Sequence, residues 1–330
     1  MKTTALDVFV CPACRGSLDL RIRAKLGAEI LEGRLICGDC RASYAITGGV
    51  PRFVPDDAYA ESFGYQWHWF RTVQIDSMAG GSRSDEMLRG TTGWRDDEYH
   101  DRRLLDAGVG AGRFAEQAAA KGAEVFGIDL TPAVDAAYRN IGDRANVHLA
   151  QADIFAPPFR AGTFDLAYSI GVLHHTPDPR AAFASLAPAI RPGGKFAVYL
   201  YARYGSSHRA SDALRVVTTR LPLQVMWALS ATAIPLYYLY RLPVVGKLAS
   251  LAAPISMEPD WRWRWLDTFD WYTPKYQWKF LYPEVFRWFC DNGFEDVALF
   301  DGPIRMCGQK RIATEPTGGP RPRWNDLVAS

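Results

Sequence analysis

The stretch LLDAGVGAGRF, residues 104–114, decides the fold. An apolar run ends in an acid, Asp106, and then in glycines at alternate positions, Gly108, Gly110 and Gly112. Helical periodicity follows at once in RFAEQAAAKG and stops at Gly122. Glycines at such a junction let the backbone turn sharply and approach a ligand closely at a helix N-terminus. Taken alone the turn says little, because dinucleotide-binding enzymes use a similar one and many such turns bind nothing.

Its surroundings sharpen the reading. RRLLDAG predicts a strand, AEVFGIDL a second, and PAVDAAYRN a helix with Pro132 at its first turn. NVHLAQAD, TFDLAYSIGVL and GKFAVYLYA continue the strands, with PRAAFASLAPAI a helix between the last two. Alternation at this spacing means a parallel sheet covered on both faces. Residues 205–260 interrupt it with an apolar, proline-broken segment, and it resumes with YPEVFRWFCDNG as helix and FEDVALFD and IRMCGQKRI as strands. The second strand ends in Asp129, 23 residues after Asp106, where an acid can accept from both ribose hydroxyls. QADIF places Asp153 after the third strand, where a carboxylate can accept from an exocyclic amino group.

Composition sets the frame. The 330 residues are 48% hydrophobic and 22% charged, as in a folded globular chain, and suffice for one large domain plus a small one. A net charge of +2 gives no strongly basic face of the kind nucleic-acid binding needs. MKTTALDVFVCPAC has no long apolar core of a secretory signal. Cys11, Cys14, Cys37 and Cys40 stand as C-x2-C-x22-C-x2-C. Four thiolates on two tight turns complete a tetrahedral shell, so a structural zinc in a reducing cytosol is expected, with no open position for catalysis. Cys290 and Cys307 are expected to be buried thiols.

CPAC, CGDC and the closing YAITGGVP resemble the zinc ribbon of the small activator subunit of tRNA and release-factor methyltransferases. The three acids, with IGVLHHTPDP and RPGGKFAVYLY, make residues 100–203 closely resemble class I S-adenosylmethionine-dependent methyltransferases, and 280–312 loosely. The leading acid of DxGxGxG favours this family over NAD enzymes. The resemblance implies a Rossmann-like α/β fold: a seven-stranded, mostly parallel sheet with helices on both faces, plus the N-terminal four-cysteine ribbon and a helical insertion. It implies that S-adenosyl-L-methionine is bound by Asp106, Gly108, Gly110, Gly112, Asp129, Leu130, Asp153, Ile154 with Phe155, and Ser169. A purely structural role for Asp106, on the amides of the glycine turn, is the alternative.

The pair His174 and His175 falls at the end of the fourth strand and the loop after it, the carboxyl edge where α/β sites are built. Neutral imidazole suits removal of a proton from an acceptor near pH 7. With the strand ending near Leu173, His174 is expected to face the pocket in preference to His175, and a loop-shaping role for both is the alternative. Relatives acting on small natural products often carry an acid near the end of the fifth strand; here AVYLYAR offers Tyr199 and Tyr201 and no carboxylate.

The divisions expected are a zinc ribbon (1–55), a helical connector or cap (56–100) with GGSRSDE (80–86) its flexible piece, the donor-binding core (101–203), an apolar helical insertion forming an acceptor lid (204–265), completion of the sheet (266–312) and a disordered tail (313–330). Tyr65, Gln66 and Trp67 are candidates to close over the donor, and Asp267, Asp270, Tyr272 and Tyr276 for polar contacts beside the lid. The apolar lid fits a small lipophilic or aromatic acceptor, methylated on O or C, better than a nucleotide. Contact of residues 221–257 with a membrane surface is a second reading, giving a cytoplasmic protein peripheral to the membrane. A ribbon-guided RNA methyltransferase, and a donor-binding scaffold engaging a protein partner through its ribbon, are the competing functions.

Overall fold

The computed structural model describes residues 1–54, 61–203 and 207–312. The segment 55–60 and the expected disordered tail lie outside them.

The N-terminal unit forms an antiparallel sheet in the order β1-β2-β3-β4, with β1 Leu18–Leu26, β2 Glu29–Cys37, β3 Ser43–Thr47 and β4 Val50–Pro51. Three helices follow, α1 Glu61–Phe70, α2 Asp76–Ala79 and α3 Arg83–Thr92. The piece expected to be flexible, 80–86, joins the end of α2 to the first turn of α3. Both carboxylate oxygens of Asp76 accept from the Ser84 N–H, and Oδ2 also from the Asp85 N–H, so the helix start is capped, with Asp76 and Ser84 buried.

The apolar runs between Arg103 and Leu200 become buried strands. They are β5 Arg103–Ala107, β6 Glu124–Asp129, β7 Val147–Gln151, β8 Phe164–Ile170 and β9 Ile190–Leu200. Between them lie α4 Arg113–Ala120, α5 Ala133–Ile141 and α6 Pro179–Leu186. The insertion folds as four short helices, α7 Ser207–Thr218, α8 Leu223–Ser230, α9 Ala233–Tyr240 and α10 Pro243–Ala252. Next come α11 Trp261–Tyr272, α12 Tyr282–Asp291, β10 Phe294–Phe300 and β11 Ile304–Lys310. The expected boundary at 265/266 runs through α11, which belongs to the helical block. No described helix is long and apolar enough to cross a membrane.

The large sheet has the order β10-β11-β9-β8-β5-β6-β7. β5 pairs parallel with β6 and β8, and only β11 runs against its neighbours. This is the expected seven-stranded Rossmann-like sheet. The strand order reverses at β5, so a crevice opens outside the carboxyl ends of β5 and β8.

The ribbon is clasped onto the β7 side of this sheet. Val10 N–H donates to the Pro158 carbonyl at 2.9 Å and Phe53 N–H to that of Gln151 at 2.8 Å. Arg52 pairs with Asp135 at 2.6 Å, and Lys2 Nζ donates to the carbonyls of Gly142 and Val147 at 2.9 Å each. Phe9 of the ribbon packs on Phe159 and Phe126, and one continuous core runs from Ile30 and Leu35 to Phe196 and Phe289.

Candidate active site

The chain leaves β5 through Gly108 (φ +99°), Gly110 (φ +52°) and Gly112 (φ +93°), a region that side chains other than glycine rarely adopt. A Cβ on Gly108 would lie 2.3 Å from Val172 Cγ2, and one on Gly112 2.8 Å from Ile141 Cδ1. Gly108 and Gly110 floor a cavity of about 490 Å³ at the carboxyl edge of the sheet. That volume is in the range of small-molecule sites. Gly112 lies outside the cavity wall; it caps α4 and faces α5.

Asp129 ends β6 on the cavity wall. Its Oδ2 accepts from the Gly110 N–H at 2.9 Å, and its Oδ1 from the Thr131 N–H at 2.9 Å and Thr131 Oγ–H at 2.7 Å. Burial pushes its carboxyl above the usual range against the pull of these donors. Leu130 and Ile154 line the cavity beside it. Asp106, Ser169, Asp153 and Phe155, also expected at the donor, are not part of the cavity wall. Asp106 is paired in register with Tyr168, whose hydroxyl donates to it at 3.0 Å under the glycine turn; burial pushes this acid up to about 8. Ser169 points to the opposite face of β8 and donates to the Ala107 carbonyl at 2.8 Å. Both tie strand ends together instead of facing the cavity. Asp153 accepts from the Phe155 N–H at 3.0 Å in a local turn, and neither residue is part of the cavity wall. The remaining set still fits the donor: a side-chain-free turn, one carboxylate with acceptor capacity left, and apolar flanks.

The histidines exchange their expected places. β8 stops at Ile170, and Leu173–His175 form a 3-10 turn, in which successive side chains step by about 120° instead of alternating. His174 is fully buried with its ring 3.9 Å from that of Tyr201, and neither ring nitrogen has a hydrogen-bond partner among the described residues. His175 reaches the cavity. Its Nδ1 lies 2.9 Å from the Tyr276 carbonyl oxygen, which keeps the proton on Nδ1 and makes Nε2 the basic nitrogen. Burial lowers both imidazoles, His175 to about 4, so they stay neutral near pH 7.

The end of β9 brings no carboxylate to the cavity, but α11 brings two, Asp267 and Asp270. Trp263, Asp267, Asp270 and Trp271 share the helix face that lines the cavity. Asp267 accepts from Ser256 Oγ at 3.3 Å and, at 3.5 Å, from Gln74 Nε2; Arg113 in turn donates to Gln74 Oε1 at 3.2 Å. The Arg113 guanidinium lies over the rings of Phe114 and Trp263, at 4.6 and 5.3 Å. Burial pushes Asp267 up to about 7 and Asp270 well above the carboxylate range, and draws Arg113 down to about 10. Gln66, fully buried, and Trp67 close the cavity from α1, while Tyr65 packs on Trp227. Tyr272 is spent on the Pro254 carbonyl at 2.6 Å. Sequence reasoning missed Arg113, Gln74 and Trp263. Only Arg113, directly after the glycine turn, had a positional signal.

The sulfurs of Cys11, Cys14, Cys37 and Cys40 all lie within 4.8 Å of one another. Cys14 and Cys37 are 3.4 Å apart and Cys11 and Cys40 3.6 Å, close to the edges of a tetrahedral thiolate shell around zinc. The four cysteines therefore fit a structural zinc. Tyr44 OH lies 3.2 Å from Cys11 Sγ. Of the other two thiols Cys307 is buried, taking the Trp94 indole N–H at 3.3 Å, whereas Cys290 is exposed, against expectation, on the outer side of α12.

Comparison with known proteins agrees. Residues 105–198 match the methyltransferase domain model, and residues 2–49 the model of Trm112p-like proteins. A ubiquinone biosynthesis O-methyltransferase of Aromatoleum aromaticum is 37% identical over 120 residues, 32% of this chain and 51% of that protein. Its counterpart from Xanthomonas oryzae pv. oryzae is 35% identical over 98 residues, 28% of this chain and 40% of that one. The chain thus spans about half the length, or less, of these relatives. The crystal structure of an S-adenosylmethionine-dependent methyltransferase from Mesorhizobium loti overlaps at 30% identity with a TM-score of 0.32, covering 36% of this chain and 53% of that one. The chain carries a class I S-adenosylmethionine-dependent methyltransferase domain with a Trm112p-like unit at its N-terminal side.

Proposed function

We propose that this protein transfers a methyl group from S-adenosylmethionine to a hydroxyl oxygen of a small, lipophilic, aromatic acceptor. One observation carries the reading: Asp270, Asp267 and His175 open on the same aromatic-walled cavity as the glycine turn and Asp129. The named relatives, ubiquinone biosynthesis O-methyltransferases, support oxygen as the acceptor atom.

When bound, S-adenosylmethionine supplies a methyl carbon on a sulfonium that departs as a neutral thioether. Asp129 and the backbone of Gly108 and Gly110 hold the donor, and Trp67, Phe114, Trp263 and Trp271 exclude water. Asp270 accepts the acceptor's hydroxyl proton as the oxygen–carbon bond forms, then releases it to solvent. His175, neutral and fixed by Tyr276, orients the acceptor oxygen. The Arg113–Gln74–Asp267 chain holds Asp267 one helical turn from Asp270.

The test is incubation of the chain with labelled donor and a panel of catechols and polyprenylated phenols. O-methyl product is expected; no labelled product from the panel or from host small-molecule extracts sinks the reading. Only ionised Asp270 takes a proton, so the rate should rise with pH through its raised pKa. Asp270→Asn should remove that limb and lower kcat about 10²- to 10⁴-fold, with donor affinity unchanged. A rising limb that survives in Asp270→Asn places the base elsewhere.

A further inference from the structure

The helical insertion, expected as a lid over the cavity, contributes no residue of α7–α10 to the cavity wall; it packs one side on α11 and turns another to solvent, and the outer side has an unusual composition. From Ala213 to Met257 there is no Asp or Glu, but there are Arg215, Arg220, Arg241 and Lys247. Arg215 is buried on the carbonyls of Trp271 and Pro274. The other three are exposed and form no ion pair among the described residues. Around them α10, packed on α9 and α7, and Leu242 just before it present aliphatic groups to water: Val244 is 72% exposed, Leu248 65%, and Leu242 and Leu251 50% each. Tyr238 of α9 adds a ring that is 70% exposed. Of the residues of α10, Gly246 alone is buried.

Single exposed aliphatic residues are ordinary, but a contiguous apolar face marks an interaction site. These helices hold 8 to 12 residues each, too few to span a bilayer. We propose that the outer face of α9 and α10, with the end of α7, docks on the surface of an anionic phospholipid bilayer. The charge pattern selects this partner. A helix lying in the interface buries its aliphatic groups at the headgroup boundary, and exposed cations with no acid among them match an anionic leaflet. The inner side of the same block, through Trp227 on Trp265 and Phe269, backs the cavity-lining helix α11. A lipophilic acceptor would then reach the cavity from the bilayer.

Vesicle binding needs no turnover, so it stands or falls apart from the methyl-transfer reading. The full chain should co-sediment with vesicles of equal parts phosphatidylcholine and phosphatidylglycerol, and remain in solution with phosphatidylcholine alone. Raising salt should weaken the binding. Neutralising Arg220, Arg241 and Lys247 together by glutamine should weaken it about a hundredfold at low salt, at roughly fivefold per cation. Val244→Glu with Leu248→Glu should abolish it, leaving donor affinity and thermal unfolding unchanged. The proposal is overturned if the chain ignores anionic vesicles, or if the double glutamate variant still binds them. It is equally overturned if the face instead mediates a dimer that the glutamates dissolve while vesicles are not bound.

Discussion

Removal of the Asp129 carboxylate tests the donor site without knowledge of the acceptor. A carboxylate offers about four lone-pair positions. Gly110 N–H, Thr131 N–H and Thr131 Oγ–H occupy three of them in the folded protein. One remains for a ribose hydroxyl, and a hydrogen bond to a charged group is worth about 1.5–3 kcal/mol. Asp129→Ala should therefore weaken donor binding about 10- to 150-fold. Asp129→Asn should do little better, because its NH2 must oppose either the Gly110 or the Thr131 N–H. The assay is calorimetric titration with S-adenosylmethionine and, separately, S-adenosylhomocysteine, which shares the ribose but lacks the sulfonium charge. Both should lose affinity alike. A loss confined to the sulfonium compound would mean that Asp129 acts through charge, and no loss beyond about twofold for either would refute the ribose assignment. The pH dependence has a definite sign. Burial raises this carboxyl, so wild-type donor affinity is full above its pKa and falls as pH drops through it, at a higher pH than an ordinary carboxylate would give.

Gly108→Ala should abolish donor binding, since its Cβ meets Val172 at 2.3 Å, whereas the Cβ of Gly110→Ala finds nothing nearer than 3.8 Å and should cost only about 1–2 kcal/mol for its left-handed backbone; calorimetry on both variants checks the contrast. Phe9→Ala, at the junction of ribbon and sheet, should destabilise the chain by about 3–5 kcal/mol in a denaturant titration with a single transition. Two separated transitions would show that the units unfold independently. Metal analysis should find one zinc per chain. Cys37→Ser or a chelator should remove it and lower the melting temperature of the whole molecule, because Lys2, Phe9 and Arg52 bind the ribbon to the sheet.

The short-range signals were legible in the chain. Glycines on alternate positions after a buried strand, Asp129 at the end of the next strand and four cysteines in two pairs each act through neighbours in sequence, and in the structure Gly108, Gly110 and Asp129 line one cavity and the four sulfurs cluster. Asp106 and Ser169 are tied across strand ends, Asp153 accepts from the Phe155 N–H in a local turn, and none of the three is part of the cavity wall. A stop of β8 three residues early exchanged His174 for His175, since a 3-10 turn rotates side chains by a different angle from a strand. The acceptor side could not be read from sequence because it is assembled over long distances. Asp267 meets Gln74, 193 residues earlier in the chain, and Asp270 lines the same cavity as the glycine turn. The chain by itself determined the sheet, the donor turn and the metal ligands, whose chemistry lies within a few residues of backbone. Packing of α11 and α1 over the crevice, which no local pattern encodes, decided which acids share the cavity.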